Sequence, residues 1–440
     1  VVLRLLIVDP NGAALDIACR AKECGHQVKH QIRDTPKTTY IGRGLVDVIR
    51  DITPWVNWSD LIFVADNVKY LDQLDAIRKT GKPIVGPTKE TAAWELDRQK
   101  GMEVFKKHGI ATPPCFEFTD YDKAIAHVKK RGGRWVSKPS GDADKALSYC
   151  AKSEQDMVYM LERWKKNPKI KREFILQKFI PGIEMAVGSW CGPRGFATTF
   201  CENFEFKKLM DGDMGVATGE QGTVLRYVTR SKLARKVLAP MEEALVKQGY
   251  TGYIDINCII DERGDPWPLE FTMRPGWPTC NIQQELHGDD PVEWMQLLAS
   301  GKNPPTLPDK VAMGVVLSIP DYPYSHLTRK EVTGIPIYGM DGRMMRHLHY
   351  CEMMLGEAPN EQLKPEKMPV TAGDYVLVMS GIGSTVWDTK QSVYRRLKRL
   401  TIPNSPMYRT DIGDRLSKQL PKLQEHGYAM GMEFSLPQTP

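Results

Sequence analysis

Tyr253-Ile254-Asp255-Ile256-Asn257-Cys258-Ile259-Ile260 and Pro266-Trp267-Pro268-Leu269-Glu270-Phe271-Thr272-Met273-Arg274 flank the polar turn Asp261-Glu262-Arg263-Gly264-Asp265. Two apolar-rich runs around a glycine-containing turn predict a β-hairpin. Side chains alternate along a strand, so Asp255 and Asn257 share a face, as do Glu270 and Thr272. Pairing the strands brings Asn257 or Asp255 beside Glu270. Oxygen donors grouped in this way suit Mg2+, which takes one or two carboxylates and completes its shell with phosphate oxygens. The polar outer face of an ordinary hairpin has the same pattern.

Two elements upstream bear on the choice. Residues 134–138 read as a strand ending in Lys138, followed by a loop of small residues that carries Lys145. A strand-borne lysine beside such a loop can neutralise nucleotide phosphates; a solvated loop is the plainer alternative. The second element is Gln177-Lys178-Phe179-Ile180-Pro181-Gly182-Ile183-Glu184. A strand ending in an apolar pair offers a slot with backbone donors and acceptors for a base. A carboxylate a few residues on suits a ribose diol; a hairpin turn with a surface glutamate fits as well.

Further out, residues 1–88 alternate strand, turn and helix, which predicts a parallel sheet with its ligand loop after the first strand. Long helices are expected over 91–108 and 230–248, and shorter ones over 121–131 and 154–166. Strands at 311–318, 346–350 and 375–379 and a helix over 390–400 make a third region beyond a Pro-rich linker near 303–308. The expected units are 1–88, 89–306 (with a lid over about 115–182) and 307–440. His347-x-His349-x-Cys351 carries zinc-type donors on one strand face, but no fourth ligand is apparent, and a polar strand face is the reading adopted. Trp135, Trp164 and Trp190 read as core.

The 440 residues suit two to four compact units. With 41% hydrophobic and 26% charged residues, wholesale disorder is excluded. A net charge of +6 is mild at this length: compatible with phosphorylated substrates, without requiring nucleic acid. Nine cysteines without a Cys-x-x-Cys pair read as reduced thiols of a cytoplasmic protein. No apolar run reaches the length of a membrane span.

Lysine strand, base-binding strand and metal hairpin with a trailing arginine, in that order, resemble the ATP-grasp superfamily, and in particular the phosphoribosylamine–glycine ligase family. The resemblance extends to 60–64, 86–89, 105–112, 250–253, 314–316 and 408–413. The segment 205–222 matches the family without a gap. It implies an α/β (α+β) architecture: an ATP-grasp fold with an N-terminal parallel-sheet domain and a C-terminal mixed α/β domain. It further implies ATP and Mg2+, or Mn2+ in its place, as cofactors. Arg98, Lys138 and Lys145 would meet the ATP phosphates. Gln177, Lys178, Phe179 and Ile180 would line the adenine slot, and Glu184 would hold the ribose. Asn257, Glu270 and Thr272 would face the metal. Arg274, Lys207 and Asp213 would serve the carboxylate substrate and its acyl phosphate. The implied partners are a small amino acid and an amine, for a monomer or homodimer with no membrane and no direct nucleic-acid contact.

The chain also departs from the family. The glycine-rich first loop is replaced by Asp9-Pro10-Asn11-Gly12, where Asp9 would repel a phosphate, and the Pro-Glu-Ala-Pro-Leu segment by residues 65–71. Ala217 and Thr272 stand where the family has asparagine. A ligase for a different amine, and a catalytically silent nucleotide-binding protein, are the alternatives these changes raise.

Overall fold

The computed structural model describes residues 1–139, 148–167, 173–305, 307–324, 330–360, 362–403 and 405–435. Its first sheet is parallel, in the order Val48–Ile49, Gln27–Gln31, Arg4–Val8, Leu61–Val64, Ile84–Val85. Leu5, Leu6, Ile7 and Val8 are wholly buried, as a parallel strand covered on both faces requires. Strand order reverses beside Arg4–Val8, so the crevice beyond its C-terminal end is the switch point of the sheet.

The second sheet has nine strands, every pairing antiparallel. It starts at the predicted hairpin, Pro266–Thr272 with Gly252–Ile260. It continues through Ile183–Gly192, Phe200–Met210, Met214–Val228, Val311–Ser318 and Tyr375–Gly383 to Leu348–Tyr350, and the ninth strand, Gly195–Phe196, pairs with Ile183–Gly192 off this path. Helix Thr279–His287 lies so close to this sheet that a Cβ on Gly314 would stand 2.4 Å from Ile282 Cγ1.

A third sheet pairs Cys115–Phe118, Phe174–Lys178, Trp135–Pro139 and Tyr149–Cys150, all antiparallel. With helices Tyr121–Arg131 and Glu154–Lys165 it encloses its own core, which includes Trp135, Trp164 and Phe174. A two-stranded ribbon, Met353–Pro359 with Pro365–Thr371, is stitched to the first unit: Gly42 N donates to Met353 O (2.8 Å) and Leu355 N to Arg43 O (2.9 Å). All nine cysteines are unpaired, and only Cys24 and Cys150 are exposed. Among the described residues no helix is long and apolar enough to cross a membrane.

Two expected helices are interrupted. The one over 91–108 is two, Lys89–Leu96 and Arg98–Lys107. Asp97 between them is extended (φ −106°, ψ 101°), and its carboxylate accepts from Gln99 N and Lys100 N. Aspartate competes for backbone donors and so starts a new helix instead of continuing the old one. The helix over 230–248 breaks near Pro240 into Lys232–Val237, the 3-10 turn Ala239–Met241 and Glu242–Lys247, since proline has no N–H to carry an α-helix onward. The His347, His349 and Cys351 donors are spent inside the fold. His347 Nδ1 pairs with Glu285 Oε1 (2.7 Å), and His349 bridges Asp16 Oδ2 (2.8 Å) and Ser380 Oγ (2.6 Å). Cys351 is buried beyond the end of the strand.

Candidate active site

The hairpin register places Asn257 directly across from Glu270 and Asp255 across from Thr272. A register shift follows immediately, with Cys258 opposite Pro268, so Leu269 is an extra residue beside Glu270. Proline cannot donate to the ladder, and a bulge there re-aims the neighbouring side chain.

Glu270 is the hub of a charged cluster. Its Oε2 accepts from Arg98 Nη1 at 2.8 Å, a contact made possible by the helix restart at Asp97. Burial pushes the Glu270 carboxyl up, but Lys138, Arg98 and Lys207 outweigh it and hold the group well below the usual carboxylate range. Lys138 ends its strand opposite Ile175. Burial pulls its ammonium down to about 8, with Arg98 and Lys207 adding to the fall and Glu270 opposing it. The lysine strand of the third sheet and the hairpin of the second therefore face one another.

Lys207 closes the cluster, with Nζ 2.7 Å from Glu184 Oε1 and 3.1 Å from Glu205 Oε2. Burial disfavours this ammonium, yet Glu184, Glu205 and Glu270 together raise it well above its ordinary value. Asn257 Nδ2 donates to Glu205 Oε2 at 3.2 Å, while its buried Oδ1 has no partner. Behind it lie two protonation-prone acids. Burial and Glu205 push Asp255 up to about 7, against hydrogen bonds from Tyr253 and Asn203. Burial and Glu205 likewise push Glu220 well above the carboxylate range. Glu205 and Glu220 lie within the segment 205–222 but belong to no short motif. They are recognisable only once strands Phe200–Met210 and Met214–Val228 are paired.

The other candidates lie around this centre. Arg274 Nη2 pairs with Glu95 Oε1 (3.1 Å), and Glu95 Oε2 also accepts from Met273 N (2.7 Å) and Asn67 Nδ2 (2.6 Å). Arg274 thus sits at the seam between hairpin and first sheet. Gln177 is buried with Nε2 unpartnered. Lys178 Nζ donates to Gly132 O (2.9 Å), and the Arg134 guanidinium lies 3.6 Å from the centre of the Phe179 ring. Ile180 is half-buried and Thr272 likewise. Asp213 is held by Arg409 (2.9 Å) and Arg415 (3.1 Å), and Arg415 also donates to the backbone carbonyl of Glu205. Lys145 lies outside the described residues.

Among the described residues no three His, Cys, Asp or Glu side chains form a self-sufficient metal site. Mg2+ completed by phosphate oxygens needs less: one carboxylate, Glu270, and the orphaned carbonyl of Asn257 opposite it fit that requirement.

The family model for the phosphoribosylglycinamide synthetase ATP-grasp (A) domain matches residues 98–280. A phosphoribosylamine–glycine ligase of Vibrio cholerae is 25% identical over 356 residues, 78% of this chain and 80% of that protein. Over most of its length the chain is similar to phosphoribosylamine–glycine ligases, with the ATP-grasp domain at its centre. The fold agrees with the family's. The crystal structure of phosphoribosylamine–glycine ligase from Thermotoga maritima superposes with a TM-score of 0.70 at 19% identity, covering 93% of this chain and all of that one. The biotin carboxylase domain of the Hydrogenobacter thermophilus 2-oxoglutarate carboxylase, solved with MgADP, gives a TM-score of 0.62 at 14% identity, covering 97% and 99%. The chain is an ATP-dependent ligase.

Proposed function

We propose that this ligase joins a carboxylate to an amine through an acyl phosphate, in the manner of phosphoribosylamine–glycine ligase, whose substrates are ATP, glycine and 5-phosphoribosylamine. The supporting observation is the group of three cations, Arg98, Lys138 and Lys207, gathered around Glu270 opposite Asn257. Such a fixed positive cluster suits a polyphosphate and offsets charge that develops during phosphoryl transfer.

A carboxylate oxygen of the amino acid attacks the γ-phosphorus of ATP, and the bond to the β–γ bridging oxygen breaks, releasing ADP. Lys138 and Arg98 hold the phosphates in line for this step. Arg274, exchanging Glu95 for the substrate, orients the carboxylate. The amine then attacks the acyl carbon, phosphate leaves with the bonding pair, and the amine gives up a proton to form the amide. Mg2+, or Mn2+, would rest on Glu270 and Asn257 with Thr272 nearby, and when bound it supplies charge neutralisation on the phosphates. Gln177 to Ile180 and Glu184 would serve adenosine, with Lys145 and Asp213 completing the site. We assign 1–88 to the amine, 89–306 to ATP (with 115–182 as its lid) and 307–440 to support, in a cytoplasmic monomer or homodimer.

The test uses hydroxylamine, which traps acyl phosphates without needing an amine pocket. Protein, ATP, Mg2+, glycine and hydroxylamine should give a hydroxamate and stoichiometric ADP. Absence of hydroxamate with glycine and with every other proteinogenic amino acid would overturn the proposal.

A further inference from the structure

In an open α/β sheet the loop after the first strand, where a helix begins with unpaired amides, is the natural seat of a ligand phosphate. Here the turn amides that lead into the helix, those of Gly12, Ala13 and Ala14, are taken, while the helix itself has no side-chain cap. Asp9 is 1% exposed, and both of its carboxylate oxygens are doubly bonded. Oδ1 accepts from Gly12 N (3.0 Å) and Ala13 N (3.1 Å), and Oδ2 from Ala14 N (2.7 Å) and from His30 Nε2 (2.8 Å). These donors lead directly into helix Leu15–Glu23. His30 is fully buried, and Asp9's own amide is anchored to Gln31 O at 3.1 Å. An internal anion thus occupies the cradle with four hydrogen bonds, fixed by the strand that carries it.

Side chains at the crevice mouth bond to one another. Asn11 Nδ2 donates to Asp66 Oδ2 (3.0 Å) and Asn11 Oδ1 accepts from Arg33 Nη2 (3.1 Å). Asp66 Oδ1 also accepts from Val68 N, and Asn67 is committed to Glu95. Arg33 thus engages Asn11 through Nη2, its buried Nε having no partner, and the Asp66 carboxylate bonds to the same Asn11.

Resting on the ligase reading above, we infer that the amine accepted by this enzyme carries no phosphate in the first-sheet crevice. Asp9 is the specificity-determining residue that excludes phosphorylated amines in favour of unphosphorylated primary amines. Two anions cannot share these donors: the entering phosphate would meet a fixed like charge at hydrogen-bond range and find the Gly12, Ala13 and Ala14 amides already engaged.

Calorimetry with ribose 5-phosphate on the full-length protein tests this without turnover. Wild type should show no saturable binding. Asp9→Ala, which frees the Ala13 and Ala14 amides and the His30 N–H, should bind at least about tenfold more tightly, the worth of one charge-assisted hydrogen bond. Asp9→Asn, which keeps the volume and removes the charge, should fall between them and serves if the alanine variant does not fold. Wild-type binding as tight as that of either variant would overturn the inference, as would no gain in both. In the hydroxylamine assay, ribose 5-phosphate should leave the wild-type rate unchanged and inhibit Asp9→Ala. Loss of hydroxamate formation would strike the ligase reading alone, because the calorimetric result does not depend on it.

Discussion

Replacing Lys138 by methionine should make the nucleotide-free protein more stable while removing its response to ATP. The ammonium titrates at about 8 instead of its ordinary 10.5, with burial the leading cause. At ~1.4 kcal/mol per pH unit this is at most roughly 3 kcal/mol of unfavourable charging. Partial exposure of the side chain reduces the expected gain to about 2 kcal/mol. The sign follows from proton linkage. Between pH 8 and 10.5 the unfolded chain holds this proton and the folded chain does not, so wild-type stability rises with pH across that window. The advantage of Lys138→Met should therefore be full below pH 8 and vanish near 10.5. MgATP at a hundred times its Kd should stabilise wild type by ~2.7 kcal/mol and leave the variant unmoved, which reverses their order. Urea denaturation at neutral and alkaline pH, with and without MgATP, reads all of this. A variant less stable than wild type at pH 7, or a difference that does not change with pH, would refute the reasoning.

Glu270→Ala should lower kcat by at least about a hundredfold; because Arg98, Lys138 and Lys207 lose their counter-charge, ATP binding by calorimetry should hold or tighten. Asp97→Ala should cost about 1 kcal/mol through the lost helix cap and lower kcat/KM, as Arg98 loses its aim at Glu270; unchanged kinetics would show the break to be incidental. Asp255→Asn should stabilise the protein at pH 8 relative to wild type. Burial raises this carboxyl to about 7, so stability falls as pH rises from the ordinary carboxylate range through 7, and the two proteins should converge near pH 4 in thermal melts.

The parallel first sheet and a hairpin bringing Asn257 or Asp255 beside Glu270 were legible in local alternation, and the opposition of Lys138 to that hairpin in an order of elements resembling a known superfamily; the choice of Asn257 needed the register of the pair. The partnership of Arg98 with Glu270 was not. An unbroken helix over 91–108 would not start at Arg98, and a single aspartate at 97 reads as an ordinary surface residue until it is seen capping. The bulge at Leu269 had a signal, proline inside a strand at 268, but its direction needs the partner strand. Glu205 and Glu220 gather at Lys207 only through a pairing of two long strands. The ties of Asp213 to Arg409 and Arg415 span nearly two hundred residues, where spacing carries no information. At Asp9 the residue type alone predicts a repelled phosphate; that its carboxylate fills the turn is seen only with His30 from the adjacent strand in place.

The distribution of thiols offers a ready optical ruler. Of nine cysteines, the two exposed ones stand on different sheets' units, Cys24 at the end of the first helix and Cys150 on the edge strand beside Lys138's strand. Burial holds both thiols above their ordinary pKa, so maleimide labelling is best driven at mildly alkaline pH. A dye pair placed there reports the separation of the amine-side and lysine-side units by energy transfer in the unmutated chain, and a nucleotide titration followed in that signal would record how the two approach one another.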